Sequence, residues 1–209
     1  MKTKTIKKLT LSLVLVLITH GTLFAQYDKQ DSTDKKCFIG STFAMLGNFA
    51  QTNKPVFAQL NLGYRLNQKN SVSLELKTWK YAWSLGIPYG PIFEAPKEKF
   101  PGYIRECGFA VAYQHFWWKG LYTGVHVMNA WQTFATEDDK KMNKGFQIFN
   151  TYRLGFHFKF FKKRLFLEPS IAVTHRPYHT QMPDGFEQLD AKRSKFFIGE
   201  PGLHFGFNF

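Results

Sequence analysis

Between Cys37 and Phe209 the chain carries eight segments in which bulky apolar side chains alternate with small or polar ones. A period of two marks a strand with unlike faces. The plainest is Phe146 to Phe160, where Ile148, Tyr152, Leu154, Phe156 and Phe158 oppose Gln147, Thr151, Arg153, Gly155, His157 and Lys159. The same alternation runs through Cys37 to Ala50, Val56 to Leu66, Ser71 to Trp79, Tyr103 to Phe116, Leu121 to Phe134, Leu165 to Arg176 and Lys195 to Phe209.

The connections alternate too. Asn67 to Asn70, Trp117 to Gly120 and Phe161 to Arg164 read as tight turns, whereas Lys80 to Gly102, Ala135 to Gly145 and Pro177 to Ser194 are longer. Gln51 to Pro55 is the one short connection on the long side. Short turns at one rim and long loops at the other, with an even strand count, are the asymmetry of outer-membrane barrels.

Alternation alone does not say which face points inward. Size decides it: Phe, Leu, Tyr and Ile crowd one face, while Gly, Ala, Ser and Thr with a few charges form the other. An eight-stranded interior has little room, so the small face belongs inside and the bulky face outside. The expected fold is all-β: an eight-stranded antiparallel transmembrane up-and-down β-barrel with short periplasmic turns and longer extracellular loops. After residue 25 no apolar run is long enough to span a membrane as a helix, so any span is made of strands. Phe116, Trp117, Trp118, Phe160 and Phe161 then form a periplasmic aromatic girdle.

The last segment, ending in Phe205, Phe207 and Phe209, resembles the closing strand of bacterial outer-membrane β-barrels. That resemblance implies an assembly signal at these three residues and the barrel-assembly machinery as a partner in biogenesis; with eight strands in order, this segment is expected to close the barrel by pairing with Cys37 to Ala50. It extends to the general class of small outer-membrane barrels.

Ahead of the alternating region, residues 1–25 combine Lys2, Lys4, Lys7 and Lys8 with an apolar run from Leu9 to Ile18 and a small-residue site at Ala25. They read as a cleavable signal peptide; residues 26–36 form a polar periplasmic lead-in, and residues 37–209 the barrel domain. The expected location is the outer membrane of a Gram-negative bacterium. The full chain has 28 Lys and Arg against 15 Asp and Glu. Such an excess in an exported chain points to outer-membrane lipid and lipopolysaccharide rather than nucleic acid. Cys37 and Cys107 fall near opposite rims, too far apart for a disulfide, and are expected as free thiols in a monomer.

On the inner face the alternation collects Glu75, Lys77, Glu106, His126, Arg153, His157, Lys159, Glu168, Glu200 and His204. A two-residue turn at Lys162 and Lys163 places Glu168 opposite His157, with Gly155 and Lys159 as diagonal neighbours. Charges of both signs in a narrow space predict a plug of paired side chains, with no cofactor and no metal. The two Glu-Pro pairs, Glu168-Pro169 and Glu200-Pro201, fall at different depths and do not make a carboxylate dyad; each Pro marks a local distortion.

The main functional expectation is a non-enzymatic barrel with a filled lumen, whose loops serve surface interaction or envelope integrity. Tyr81, Trp83, Ile87, Pro88, Tyr89, Ile92 and Phe93 in the 80–102 connection form either a binding surface or a lid. A lipid A acyltransferase or deacylase is an alternative, with His175, His179, Asp184 and Glu187 near the outer rim. It needs a Ser nucleophile, and Ser170 points inward while Ser194 lies in a loop. A narrow small-solute channel is the other alternative.

Overall fold

The computed structural model describes residues 35–49, 54–83, 87–88 and 101–209, with side chains at all of these except Trp83, Ile87 and Pro88. The expected signal peptide, nearly all of the expected lead-in, and Tyr89, Ile92 and Phe93 lie outside the described residues.

Among the described residues ten strands form one antiparallel sheet. They are β1 (Cys37–Thr42), β2 (Ala58–Arg65), β3 (Asn70–Trp83), β4 (Ile87–Pro88), β5 (Tyr103–Trp118), β6 (Leu121–Ala135), β7 (Lys141–Phe156), β8 (Phe158–Phe160), β9 (Leu165–His179) and β10 (Phe196–Asn208). Eight of them, β1, β2, β3, β5, β6, β7, β9 and β10, close into a ring of hydrogen-bonded pairs. Closure comes from β10 pairing with β1, Phe207 opposite Ile39 and Phe205 opposite Ser41, the pairing expected of the first and last of eight strands. The chain end is bonded in as well: Cys37 donates to the Phe209 carbonyl at 3.1 Å, and Phe209 donates to Cys37 at 2.9 Å.

The ring is staggered. Followed across β5, β6, β7 and β9, the row of partners starting at Leu74 arrives on β10 at Phe196. Followed the other way, through Leu62 and Ile39, it arrives at Phe207. A closed sheet with such an offset has strands tilted by about 35–45° to its axis.

Several element ends differ from the expectation. Strand one stops at Thr42, and Phe43–Phe49 form a 3-10 helix instead of continuing to Ala50. Thr42 takes the Ala44 N–H on its own hydroxyl at 3.3 Å, and Asn48 clasps both backbone groups of Phe57 at 2.6 and 2.8 Å. Local side-chain bonds thus outcompete the ladder. The sixth segment is split, with His157 outside the strands. The β7–β9 pairs end at Gly155 opposite Ser170 and resume as β8–β9 at Phe158 opposite Leu167. Pro169, which has no N–H to give, lies opposite the gap. The other Glu-Pro coincides with a register shift between Ile198 and Glu200, absorbed by Gly199 at φ 86°. Ala135 to Gly145 is not a long loop: β6 and β7 continue to Ala135 opposite Lys141, leaving a turn closed by Thr136 donating to Lys140 at 3.0 Å. The Pro177–Ser194 connection is also shorter than expected, because β9 runs on to His179, and it contains a short helix, α1 (Asp184–Asp190).

The interior glycines are seats for large partners. A Cβ on Gly63 would lie 1.9 Å from the Phe38 ring, one on Gly206 would lie 2.3 Å from Phe166, and one on Gly155 would lie 2.6 Å from the Tyr122 hydroxyl. Phe38, Phe166 and Tyr122 are all buried. The inner face is therefore not uniformly small: it pairs glycine with aromatic across the ladder. We expect Gly63→Ala, which forces the Phe38 ring to move, to destabilise the fold by about 1–3 kcal/mol, as read from the midpoint of urea unfolding.

Candidate functional site

The enclosed interior holds most of the polar residues singled out from the alternation, arranged in tiers. Toward the rim with the tight turns, His157 Nδ1 is 2.6 Å from Glu168 Oε1, in the register expected from the Lys162–Lys163 turn. Arg65 bridges His157 Nε2 at 3.3 Å and donates to Asn208 at 3.0 Å, and Asn208 reaches the Lys163 carbonyl at 2.8 Å. Gln114 donates to Glu168 at 3.4 Å and accepts from Ser71 at 3.0 Å. Phe116 belongs to this tier. Its ring faces Tyr122 and His157, and the Arg65 guanidinium lies over it, so it is an inner residue and not part of an outward girdle.

The middle tier pairs His126 Nδ1 with Glu75 at 3.0 Å and Arg153 with Glu200 at 3.1 Å. Arg153 also donates to Ser170 at 3.0 Å, and Glu200 accepts from Thr174 at 2.6 Å. Gly202 makes room for the guanidinium: a Cβ there would sit 2.1 Å from Arg153 Nη1. Glu75, His126, Arg153, Glu168 and His204 line a cavity of about 20 Å³, room for one water. Lys77 is half-buried, its ammonium 4.6 Å from the Phe149 ring centre. Lys159 is exposed at the rim and lies outside the enclosed set. The two Glu-Pro carboxylates remain apart, since Glu168 pairs with His204 while Glu200 pairs with Ala172, four residues along β9.

The upper tier was largely missed by pattern reading. Tyr81, assigned to a loop from sequence, is fully buried on the inner face of β3, and its hydroxyl donates to Glu106 at 2.5 Å. Gln147 donates to the same carboxylate at 2.6 Å, and Gln132 donates to the Tyr81 oxygen at 2.8 Å. Above them Met182 and Phe186 pack on Tyr81, Ile104 and Phe134. Arg176, almost wholly buried, is paired with Asp190 at the end of α1. The 177–194 segment thus covers the interior at this rim. The signal that could have found it is Phe186 and Asp190 spaced along a short helical turn; the polar residues around them hid it.

Outside the ring the picture inverts. Ile39, Leu62, Leu76, Val111, Leu154 and Phe205 are exposed members of an apolar outer face. Trp117, Trp118, Phe160 and Phe161 are exposed at the tight-turn rim. Trp131 packs against Phe109 and Phe146, and Phe146 against Tyr178, toward the opposite rim. Cys37 pairs with Tyr64, whereas Cys107 sits on the row of Trp131; both are free thiols.

The residues considered for hydrolysis do not converge. His175 stacks on Phe196, His179 lies 3.8 Å from Asp190, Ser170 serves Arg153, and Ser194 accepts the Phe196 N–H. Glu187 accepts the Met182 N–H at 2.9 Å and so stabilises the start of α1. Among the described residues no group of three His, Cys, Asp or Glu side chains is placed to hold a metal. Comparison with protein-family models, with curated proteins and with solved structures gives no match.

Proposed function

We propose that this chain is an integral outer-membrane β-barrel of a Gram-negative bacterium, non-enzymatic, whose lumen is filled by its own side chains and whose loop rim serves surface interaction or envelope integrity. The observation that carries the reading is the inversion of a soluble protein's plan: paired charges inside the ring and exposed Leu, Val, Ile, Phe and Tyr around it. Soluble monomers rarely expose contiguous apolar patches beyond a few hundred Å². No helix of the described residues is long and apolar enough to cross a membrane, and strands need none. From Leu121 to Trp131, β6 climbs about 33 Å at ~3.3 Å per residue, or about 25 Å once tilted by ~40°. That height matches the apolar band of such barrels, and aromatic residues border it at both ends. The tight turns and the chain end then face the periplasm, and Phe205, Phe207 and Phe209 supply the assembly signal.

A filled interior makes a definite prediction for transport. Reconstituted into planar bilayers, the mature protein is expected to show no steady single-channel conductance, and incubated with lipid A it is expected to leave the acyl mass unchanged. A stable conductance would sink the plugged-lumen reading; an acyl shift would sink the non-enzymatic one. The Arg176–Asp190 ion pair helps hold the α1 cover, so Asp190→Asn, which keeps one acceptor for Arg176, should weaken it by about 1–2 kcal/mol. Limited proteolysis of reconstituted protein should then cut the 180–195 segment faster while leaving the membrane-protected strands intact.

A further inference from the structure

Just above the apolar outer face, one cross-strand row is basic. Lys80 on β3 is opposite Arg105 on β5, Arg105 is opposite Thr133 on β6, and Thr133 is opposite Lys144 on β7. The row immediately below it is Thr78, Cys107, Trp131 and Phe146. All of these positions have the outward parity of their strands; Arg105 and Lys144 are exposed and Lys80 is half-buried. Tyr103 organises one end. Its ring lies 3.9 Å from Lys80 Nζ and 5.7 Å from Arg105, and its hydroxyl donates to Asp139 in the β6–β7 turn. Among the described residues, Asp139 is the acid bonded to Tyr103 beside the row. Glu137, Asp138 and Asp139 share that turn with Lys140 and Lys141, so the turn carries one net negative charge.

We propose that Arg105 and Lys144, with Lys80, bind the phosphorylated headgroup of an outer-leaflet glycolipid whose acyl chains lie on Trp131, Phe146 and the apolar rows beneath. The inference rests on the membrane reading above and adds to it a defined site and ligand. Neighbouring strands are about 4.8 Å apart, so Lys80 with Arg105 forms one cationic anchor and Lys144, two strands on, a second roughly 10 Å away. Two anchors at that separation fit a headgroup carrying two phosphates better than a single phosphodiester. Arg105 contributes the planar fork that bonds two phosphate oxygens at once, and Lys144 a point charge. Thr133 supplies a hydroxyl between them. Lys119, Lys162 and Lys163, at the opposite rim, lie in turns, outside the cross-strand pairs of β5 with β6 and of β8 with β9.

The test is native mass spectrometry of the mature protein refolded in mixed micelles with diphosphoryl lipid A, monophosphoryl lipid A or phosphatidylglycerol, with heat-modifiable gel mobility recorded on the same samples. Wild-type protein is expected to retain diphosphoryl lipid A in preference to the other two. Arg105→Gln with Lys144→Gln should reduce that retention by about tenfold or more, the loss expected for removing two charged hydrogen-bond donors. Lys119→Gln with Lys162→Gln, at the far rim, should leave it unchanged. Equal retention by the two double variants, or equal retention of phosphatidylglycerol by the wild type, overturns the site. A protein that shows the heat shift yet retains no lipid A sinks this inference alone; a protein with neither heat shift nor insertion sinks the membrane reading beneath it.

Discussion

Val125→Arg is expected to prevent insertion or to lower the stability of the inserted protein by about 2–4 kcal/mol, the cost of a cation on the lipid face near the bilayer midplane. Val125 lies four residues from Leu121 and six from Trp131, exposed on the outer face between Tyr113 and Tyr152. Val125→Leu, which keeps the surface apolar, should be neutral. Urea titration of the heat-modifiable band in phosphatidylcholine vesicles reads both. The outcome that would discard the membrane barrel is a Val125→Arg protein as stable as the parent and more soluble, since an exposed substitution on a water-soluble ring changes stability by only about 0.5 kcal/mol.

Arg153→Leu should cost about 1–3 kcal/mol, because it removes the charged donor from Glu200, whose side chain is 36% exposed. The side chain of Arg153 is 7% exposed and spans Ser170, Glu200 and the space over Gly202. Adding Glu200→Leu should recover most of that loss, since removing both charges is far cheaper than orphaning one. The same unfolding assay applied to the two single variants and the double isolates the coupling. If the double variant is merely the sum of the singles, the interior pairs contribute packing and not electrostatics.

The two experiments probe opposite faces of the same strands, and that division was the most legible part of the sequence. Strict period-two alternation determines which residues share a face, and the bulk of the Phe, Leu and Tyr side chains determines which face goes outward. The closing contact of β10 with β1 follows from an even strand count, and the Glu168–His157 pair follows from a two-residue turn and the counting of opposite positions. Each is a short-range rule applied along one strand or one hairpin.

What alternation did not show depends on contacts between residues far apart in sequence. The inner glycines looked like a response to a narrow interior, yet Gly63, Gly206 and Gly155 are seats for Phe38, Phe166 and Tyr122 on neighbouring strands. Tyr81 read as a loop aromatic because the residues after it are rich in Gly and Pro; its partners Glu106, Gln132 and Gln147 lie on three other strands. Arg65 carried no local sign that it would reach His157 and Asn208, and α1 is too short to announce itself by periodicity before Phe186 and Asp190 find Phe134 and Arg176. The sequence by itself determined the strands, their faces and the order of closure, because those follow from a two-residue repeat and turn length. Only the tertiary structure decided which inner residues meet, since the stagger of a closed sheet sets the level of each strand against its neighbours, and a single strand holds no record of that offset.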